Sequence, residues 1–218
     1  VSVTTQPPLY GPEQSRFARY LERREQRKPD LMAREHRRGL LAGLQGQILE
    51  VGCGDGRAFE LYPPDVTGVV AVEPDSTARA VAEERAREAE VRIDVVDGTA
   101  EALPVEDGAF DAVVAVWVLC SVRDPAAALA EMHRVVRPGG ELRFYEHVRS
   151  ENAAFRWLQK TIDGLFWMRA LGGCVTTRDT TAAIKAAGFE IVELERGFHS
   201  SSLLTITSAP YVIGTARR

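Results

Sequence analysis

Ile48-Leu49-Glu50-Val51-Gly52-Cys53-Gly54-Asp55-Gly56 is the stretch that decides the fold of this chain. An apolar run ends in alternating glycines, and a helical pattern begins straight afterwards at Arg57. Glycine lets the backbone take positive φ and lets a ligand lie against bare main chain. A strand, a glycine turn and a helix in that order mark a nucleotide-type cofactor at the first turn of a doubly wound sheet. The spacing here is Gly-x-Gly-x-Gly rather than the G-x-G-x-x-G of dinucleotide sites, with Glu50 at its head. A carboxylate at that point can hold the turn near an amino-acid-type cofactor tail, and it would sit badly beside a pyrophosphate.

Outward from the turn the chain alternates strand and helix. Residues 68–73 read as a buried second strand ending in Glu73, residues 91–96 as a third, and residues 110–116 as a fourth. The fourth is almost continuously apolar, as a central parallel strand should be. Residues 141–148 give a fifth strand, and two closing strands fall near 189–196 and 210–216. A short helix is expected at 57–62, and another behind Pro74, Asp75 and Ser76. Asp124-Pro125 caps a third, which Arg137-Pro138-Gly139-Gly140 stops. An aromatic-rich helix is expected at 152–171, and a last one at 180–187 before Gly188. Upstream, residues 13–28 and 31–44 show helical periodicity and an excess of basic residues. This alternation predicts an α/β, doubly wound sheet. The expected organisation is one domain: an N-terminal helical cover over 1–46, a cofactor-binding core over 47–150, and acceptor-side helices and closing strands over 151–218.

The chain has 218 residues, enough to bury a full core, and its 45% hydrophobic and 27% charged content is that of an ordinary globule. A formal net charge of -4 argues against a nucleic-acid partner. Cys53, Cys120 and Cys174 are an odd number with no metal-type spacing, so neither a disulfide framework nor a metal site is expected. No apolar run approaches the roughly twenty residues that cross a bilayer, and Val1 to Pro12 is not built like a signal peptide. The expectation is a cytoplasmic protein without a membrane partner.

Three elements line up at the carboxyl ends of successive strands, where such sheets bind ligands. The glycine turn is the first. Glu73, about twenty residues beyond it, is placed to bond ribose hydroxyls. Asp97-Gly98-Thr99-Ala100 follows the third strand; an acid there can accept from a purine amine while backbone N–H groups reach a ring nitrogen.

Residues 48–56, 72–75, 97–104, 110–120 and 131–147 together resemble the class I S-adenosylmethionine-dependent methyltransferases. Glu131-Met132-His133-Arg134-Val135-Val136-Arg137-Pro138-Gly139-Gly140 is especially similar to that family's helix before strand five. The resemblance implies a Rossmann-like, mostly parallel sheet of seven strands with the last antiparallel. It implies S-adenosyl-L-methionine as cofactor and S-adenosyl-L-homocysteine as product. Glu50, Gly52 and Gly54 would hold the methionine end, Glu73 the ribose, and Asp97, Thr99 and Ala100 the adenine. Cys53, Pro74, Gly98, Val116 and, from the N-terminal cover, Tyr20 complete the expected cofactor site. Tyr62-Pro63-Pro64, Leu119-Cys120-Ser121-Val122, Glu146-His147-Val148 and Gly173-Cys174 further resemble the methyltransferase-like alkyl thiol methyltransferases and their bacterial relatives. That branch implies S-methylation of a small thiol.

A thiol acceptor asks little of the protein, since its pKa lies near about 8.5 and the thiolate is a strong nucleophile. A phenol or alcohol needs a well-placed base. His147, following strand five, is the first candidate for acceptor chemistry and His36, on the N-terminal cover, the second. Each also reads as a structural histidine. Cys120, just past strand four, reads either as a small buried thiol beside the cofactor or as part of the acceptor site. Tyr20 and Arg37 could face a ligand, and the aromatic residues from Phe155 to Trp167 could be core or an apolar acceptor wall. Strand four ends in Val116-Trp117-Val118 with no ligand carboxylate, which points to a metal-independent enzyme. The competing readings are O- or C-methylation of a phenolic or quinone acceptor, an inactive cofactor-binding scaffold and, less favoured, an NAD enzyme.

Overall fold

Strands that are apolar on both faces have to be covered on both faces, and this requirement shapes the molecule. The computed structural model describes residues 30–164, 174–200 and 203–218. Five strands run parallel: β1 (Gly46–Val51), β2 (Val66–Val72), β3 (Ile93–Val96), β4 (Phe110–Val116) and β5 (Val136–His147). β6 (Glu190–Phe198) and β7 (Pro210–Arg217) complete a seven-stranded sheet of order β3-β2-β1-β4-β5-β7-β6. β7 is antiparallel to both its neighbours, as the family resemblance implies.

The helices are α1 (Leu31–Leu41), α2 (Ser76–Glu88), α3 (Pro125–Val135), α4 (Ala153–Gly164) and α5 (Thr180–Ala186). Leu49, Val51, Val113, Ala115, Leu142 and Phe144 join one core, packed with Leu129 and Met132 of α3 and Ile184 of α5. Ile48, Ala112, Val114 and Tyr145 point the other way, into a second core with Leu40 and Leu41 of α1 and Ala82 of α2. Aspartates start α2, α3 and α5: Asp75 and Asp124 each accept two backbone N–H bonds, at α2 and α3, and Asp179 accepts one at α5.

Several boundaries differ from the sequence expectation. After the glycine turn there is only a 3-10 turn at Phe59–Leu61, because Pro63-Pro64 leaves no room for a longer helix. α3 ends at Val135, and β5 starts at once at Val136 instead of at residue 141. Arg137-Pro138-Gly139-Gly140, read as a helix stop, is the opening of that strand, where the pairing with β4 shifts register and Gly139 takes φ 79°. α1 stops at Leu41. The helix expected over 152–171 is seen from Ala153 to Gly164, and its remainder, with Phe166 and Trp167, lies outside the described residues. So do the helix expected over 13–28 and Tyr20.

β1 leads outward to β2 and β3 on one side, and β4 and β5 continue on the other. The loops leaving β1 and β4 therefore meet at a topological switch point, the crevice where open α/β sheets bind ligands.

Candidate active site

The loop leaving β1 is built from backbone that only glycine takes without strain. Gly52 has φ 66°, and a Cβ there would meet Val118 Cγ2 at 2.7 Å, so the β1 and β4 loops touch at this point. Gly54 has φ 58° and open space where a Cβ would stand, which leaves bare main chain facing the crevice. That cradle fits a ligand laid against the turn.

Two buried carboxylates flank the turn. Glu73 accepts from the Gly54 N–H and the Asp75 N–H, each at 2.9 Å, so it ties the glycine turn to the start of α2. Burial pushes its carboxyl up against those two bonds. Glu50 accepts from the Tyr62 hydroxyl at 2.7 Å. Burial pushes Glu50 up to about 7, opposed by the Tyr62 bond and by the charge of Arg37. Asp97 stands apart: its side chain is 72% exposed and pairs with Arg79 at 2.9 Å. Behind it Gly98 packs so tightly that a Cβ would meet Pro104 at 2.8 Å, and Ala100 is buried. Thr99 bridges Ala102, Pro74 leads into α2, Val116 ends β4 half-buried, and Cys53 is buried in the turn with its thiol pushed up by burial.

The loop leaving β4 carries the other half. Trp117 takes φ 58°, a left-handed conformation rarely adopted by a bulky residue, and its N–H bonds the Tyr145 carbonyl at 2.8 Å. Its ring stacks on His147, centroids 5.3 Å apart and planes within 9°, with the Arg37 guanidinium 4.6 Å from its centroid. Its Nε1 is buried without a partner among the described residues. Glu146 is fully buried and accepts three backbone bonds, from Val118 and Leu119 at 2.9 Å and from Cys120 at 3.0 Å. Burial pushes its carboxyl well up, and the three donors oppose this.

His147 Nδ1 lies 3.7 Å from Cys120 Sγ and 3.5 Å from Cys174 Sγ. The hydrogen bond with Cys174 and then burial push the Cys120 thiol well up, so unaided it is a thiol and no nucleophile. His36 sits elsewhere on the wall, with Nδ1 3.1 Å from the Tyr145 hydroxyl and Nε2 3.3 Å from that of Tyr211.

The structure thus brings His147 and Cys120 together and adds Cys174, Trp117 and Glu146. It sets His36 and Arg37 on α1 along the same aromatic wall. Sequence reasoning missed Trp117's backbone, the Tyr62–Glu50 bond and the work of Glu146. An acid inside the buried run Phe144-Tyr145-Glu146 was the one available signal. Arg178 and Asp179 are a brace and a cap: Arg178 bonds the Leu119 and Val122 carbonyls, and Asp179 begins α5.

The fold and the glycine cradle define a class I, S-adenosylmethionine-dependent methyltransferase. The family described as a methyltransferase domain matches residues 49–144. Human thiol S-methyltransferase TMT1B is 33% identical over 81% of this chain and 73% of its own length. Human thiol S-methyltransferase TMT1A is 35% identical over 71% of this chain and 65% of its own length. A solved S-adenosylmethionine-dependent methyltransferase from Mesorhizobium loti superposes with a TM-score of 0.61 over 84% of this chain and 95% of its own, and at 21% identity it shares the fold alone. The chain belongs to the methyltransferase-domain family. Among the described residues no helix is long and apolar enough to cross a membrane.

Proposed function

We propose that this protein methylates the sulfur of a small thiol. The observation that carries the reading is the similarity to thiol S-methyltransferases, which extends over 81% of the chain and takes in the His147 wall as well as the cofactor turn. When bound, S-adenosylmethionine supplies a methyl on a sulfonium, open to in-line displacement. Glu50, Gly52, Cys53 and Gly54 would hold its methionine end, Glu73 with Pro74 its ribose, and Asp97, Gly98, Thr99 and Ala100 its adenine, with Val116 at the reacting end. Glu73 would do this from a carboxylate already bonded to the turn, so cofactor binding and the shape of the turn are coupled.

On the acceptor side the protein has to position a thiol and favour its thiolate. His147 and the sulfurs beside it are the groups for that task, with Trp117 and Tyr145 as the apolar wall. Cys120 belongs to the pocket and is not the nucleophile. His36, shared by two tyrosine hydroxyls, holds α1 against β5 and β7. The described stretches act as one domain in this reading, with α1 as part of its cover.

The test is an acceptor panel of alkyl and aryl thiols, phenols, quinols and amines, run with cofactor carrying a deuterated methyl and read by product mass. Labelled thioethers from the thiols, with S-adenosylhomocysteine formed in equal amount, are expected. Labelled ethers or ring-methylated products in place of thioethers would establish an O- or C-methyltransferase. Cofactor binding with no labelled product from any class would establish the scaffold.

A further inference from the structure

Cys120, His147 and Cys174 come from three separate stretches: the turn after β4, the end of β5 and the approach to α5. Their spacing in sequence gives no sign of a shared site, yet the two sulfurs and Nδ1 of His147 all lie within 4.8 Å of one another. The sulfur–nitrogen separations are 3.7 and 3.5 Å. For zinc, bonds of about 2.3 Å to sulfur and about 2.0 Å to nitrogen at a tetrahedral angle set ligand sulfur and nitrogen about 3.5 Å apart, and two sulfurs about 3.8 Å apart. We propose that Cys120, His147 and Cys174 form a site for one thiophilic divalent cation, zinc above all, with its fourth position open among the described residues.

Two thiolates and an imidazole select zinc over magnesium or calcium, which take oxygen ligands. Three protein ligands with a vacant position are the arrangement of a working zinc rather than a closed structural one. The ligands are also held from behind, as metal ligands need to be. Glu146 fixes the backbone N–H of Cys120, and the Val175 N–H bonds the Cys120 carbonyl at 2.7 Å. Arg178 links the same turn to the Cys174 stretch through the Leu119 and Val122 carbonyls. Trp117 fixes the plane of the His147 ring. Cys120 is buried while His147 and Cys174 are half-buried, so the accessible side of the trio is theirs.

On binding the cation, each cysteine releases its proton to solvent and bonds through sulfur. A thiol entering the fourth position releases its proton in the same way and stays as thiolate. That last role rests on the thiol reading above; the cation site does not.

The full chain, kept reduced with a phosphine, is titrated with Co²⁺ alone. One equivalent should give sulfur-to-cobalt charge transfer in the near ultraviolet and the visible bands of tetrahedral cobalt, both removed by Zn²⁺. Cys120→Ser and Cys174→Ser should each weaken binding more than about 100-fold, beyond the 10–100-fold typical of a lost outer-shell partner. Cys53→Ser should keep the bands. Because Cys120 is buried, half-buried Cys174 is the decisive variant, with circular dichroism matching the parent to show that it is folded. No charge-transfer band in the parent, or a band that survives both Cys174→Ser and His147→Ala, would overturn the site. Adding a small alkyl thiol should shift the visible bands; unshifted bands would overturn the open-position role. Cobalt bound by these residues in a chain that methylates no thiol would uphold the site and remove the thiol reading.

Discussion

Glu50 shows how one residue's surroundings set a property of the whole protein. Its carboxyl has a value of about 7 in place of 4.5, because burial outweighs the Tyr62 bond. A raised carboxyl binds more protons folded than unfolded, so Glu50's contribution to stability is fully present below about pH 4.5 and is lost as pH rises through about 7. Glu50→Gln keeps an acceptor for Tyr62 and removes the charge. In cofactor-free protein it should gain stability relative to the parent between pH 5 and 8, by up to about 3 kcal/mol at about 1.4 kcal/mol per pH unit. Thermal melts across that range check this; parallel slopes for the two proteins would contradict it. The sequence showed Glu50 at the head of the turn but not its partner, since Tyr62 reaches it only once Pro63-Pro64 has shortened the crossover. His147, Cys120 and Cys174 were equally hard to join, because nothing local relates residues that three separate elements bring together.

At the scale of elements, the glycine turn separates folding from binding. Gly52 and Gly54 both have positive φ, where a side chain costs about 1–2 kcal/mol. Only at Gly52 would the new methyl also strike a neighbour, Val118. Gly52→Ala should therefore lower the melting temperature clearly more than Gly54→Ala. Gly54→Ala, whose methyl enters the open cradle, should fold and lose most of its affinity for S-adenosylhomocysteine by calorimetry. Full affinity in Gly54→Ala would move the cofactor off this turn. Most of the elements were legible in the sequence for physical reasons. β4 was read to the residue because Phe110–Val116 is buried on both faces and shows no competing period. The start of β5 was misread because Pro138-Gly139-Gly140 carries the signals of a helix stop, and only pairing with β4 makes it strand. Trp117's left-handed backbone had no signal at all, since a bulky residue is the last one expected there.

Across the whole molecule, the sheet order brings two unlike halves to one crevice. The loop after β1 and the buried acids around it form a glycine cradle, the proposed seat of the methyl donor, and the loop after β4 with the end of β5 forms a sulfur and imidazole cluster under an aromatic wall. The donor half was legible because its glycines and acids fall at characteristic spacings along the chain. On the proposed acceptor side His147 and Cys120 were single candidates in the sequence, and their meeting with Cys174 became legible only through the fold. Whether that cluster supplies thiolate is decided by one comparison, the rate of thiol methylation by the parent and by His147→Ala at pH 7 and at pH 9. A thiol of pKa about 8.5 is only about 3% thiolate at pH 7 and mostly thiolate at pH 9. The predicted loss in His147→Ala approaches about 30-fold at pH 7 and shrinks to less than about twofold at pH 9. An equal loss at both pH values would contradict thiolate supply and leave His147 a structural residue.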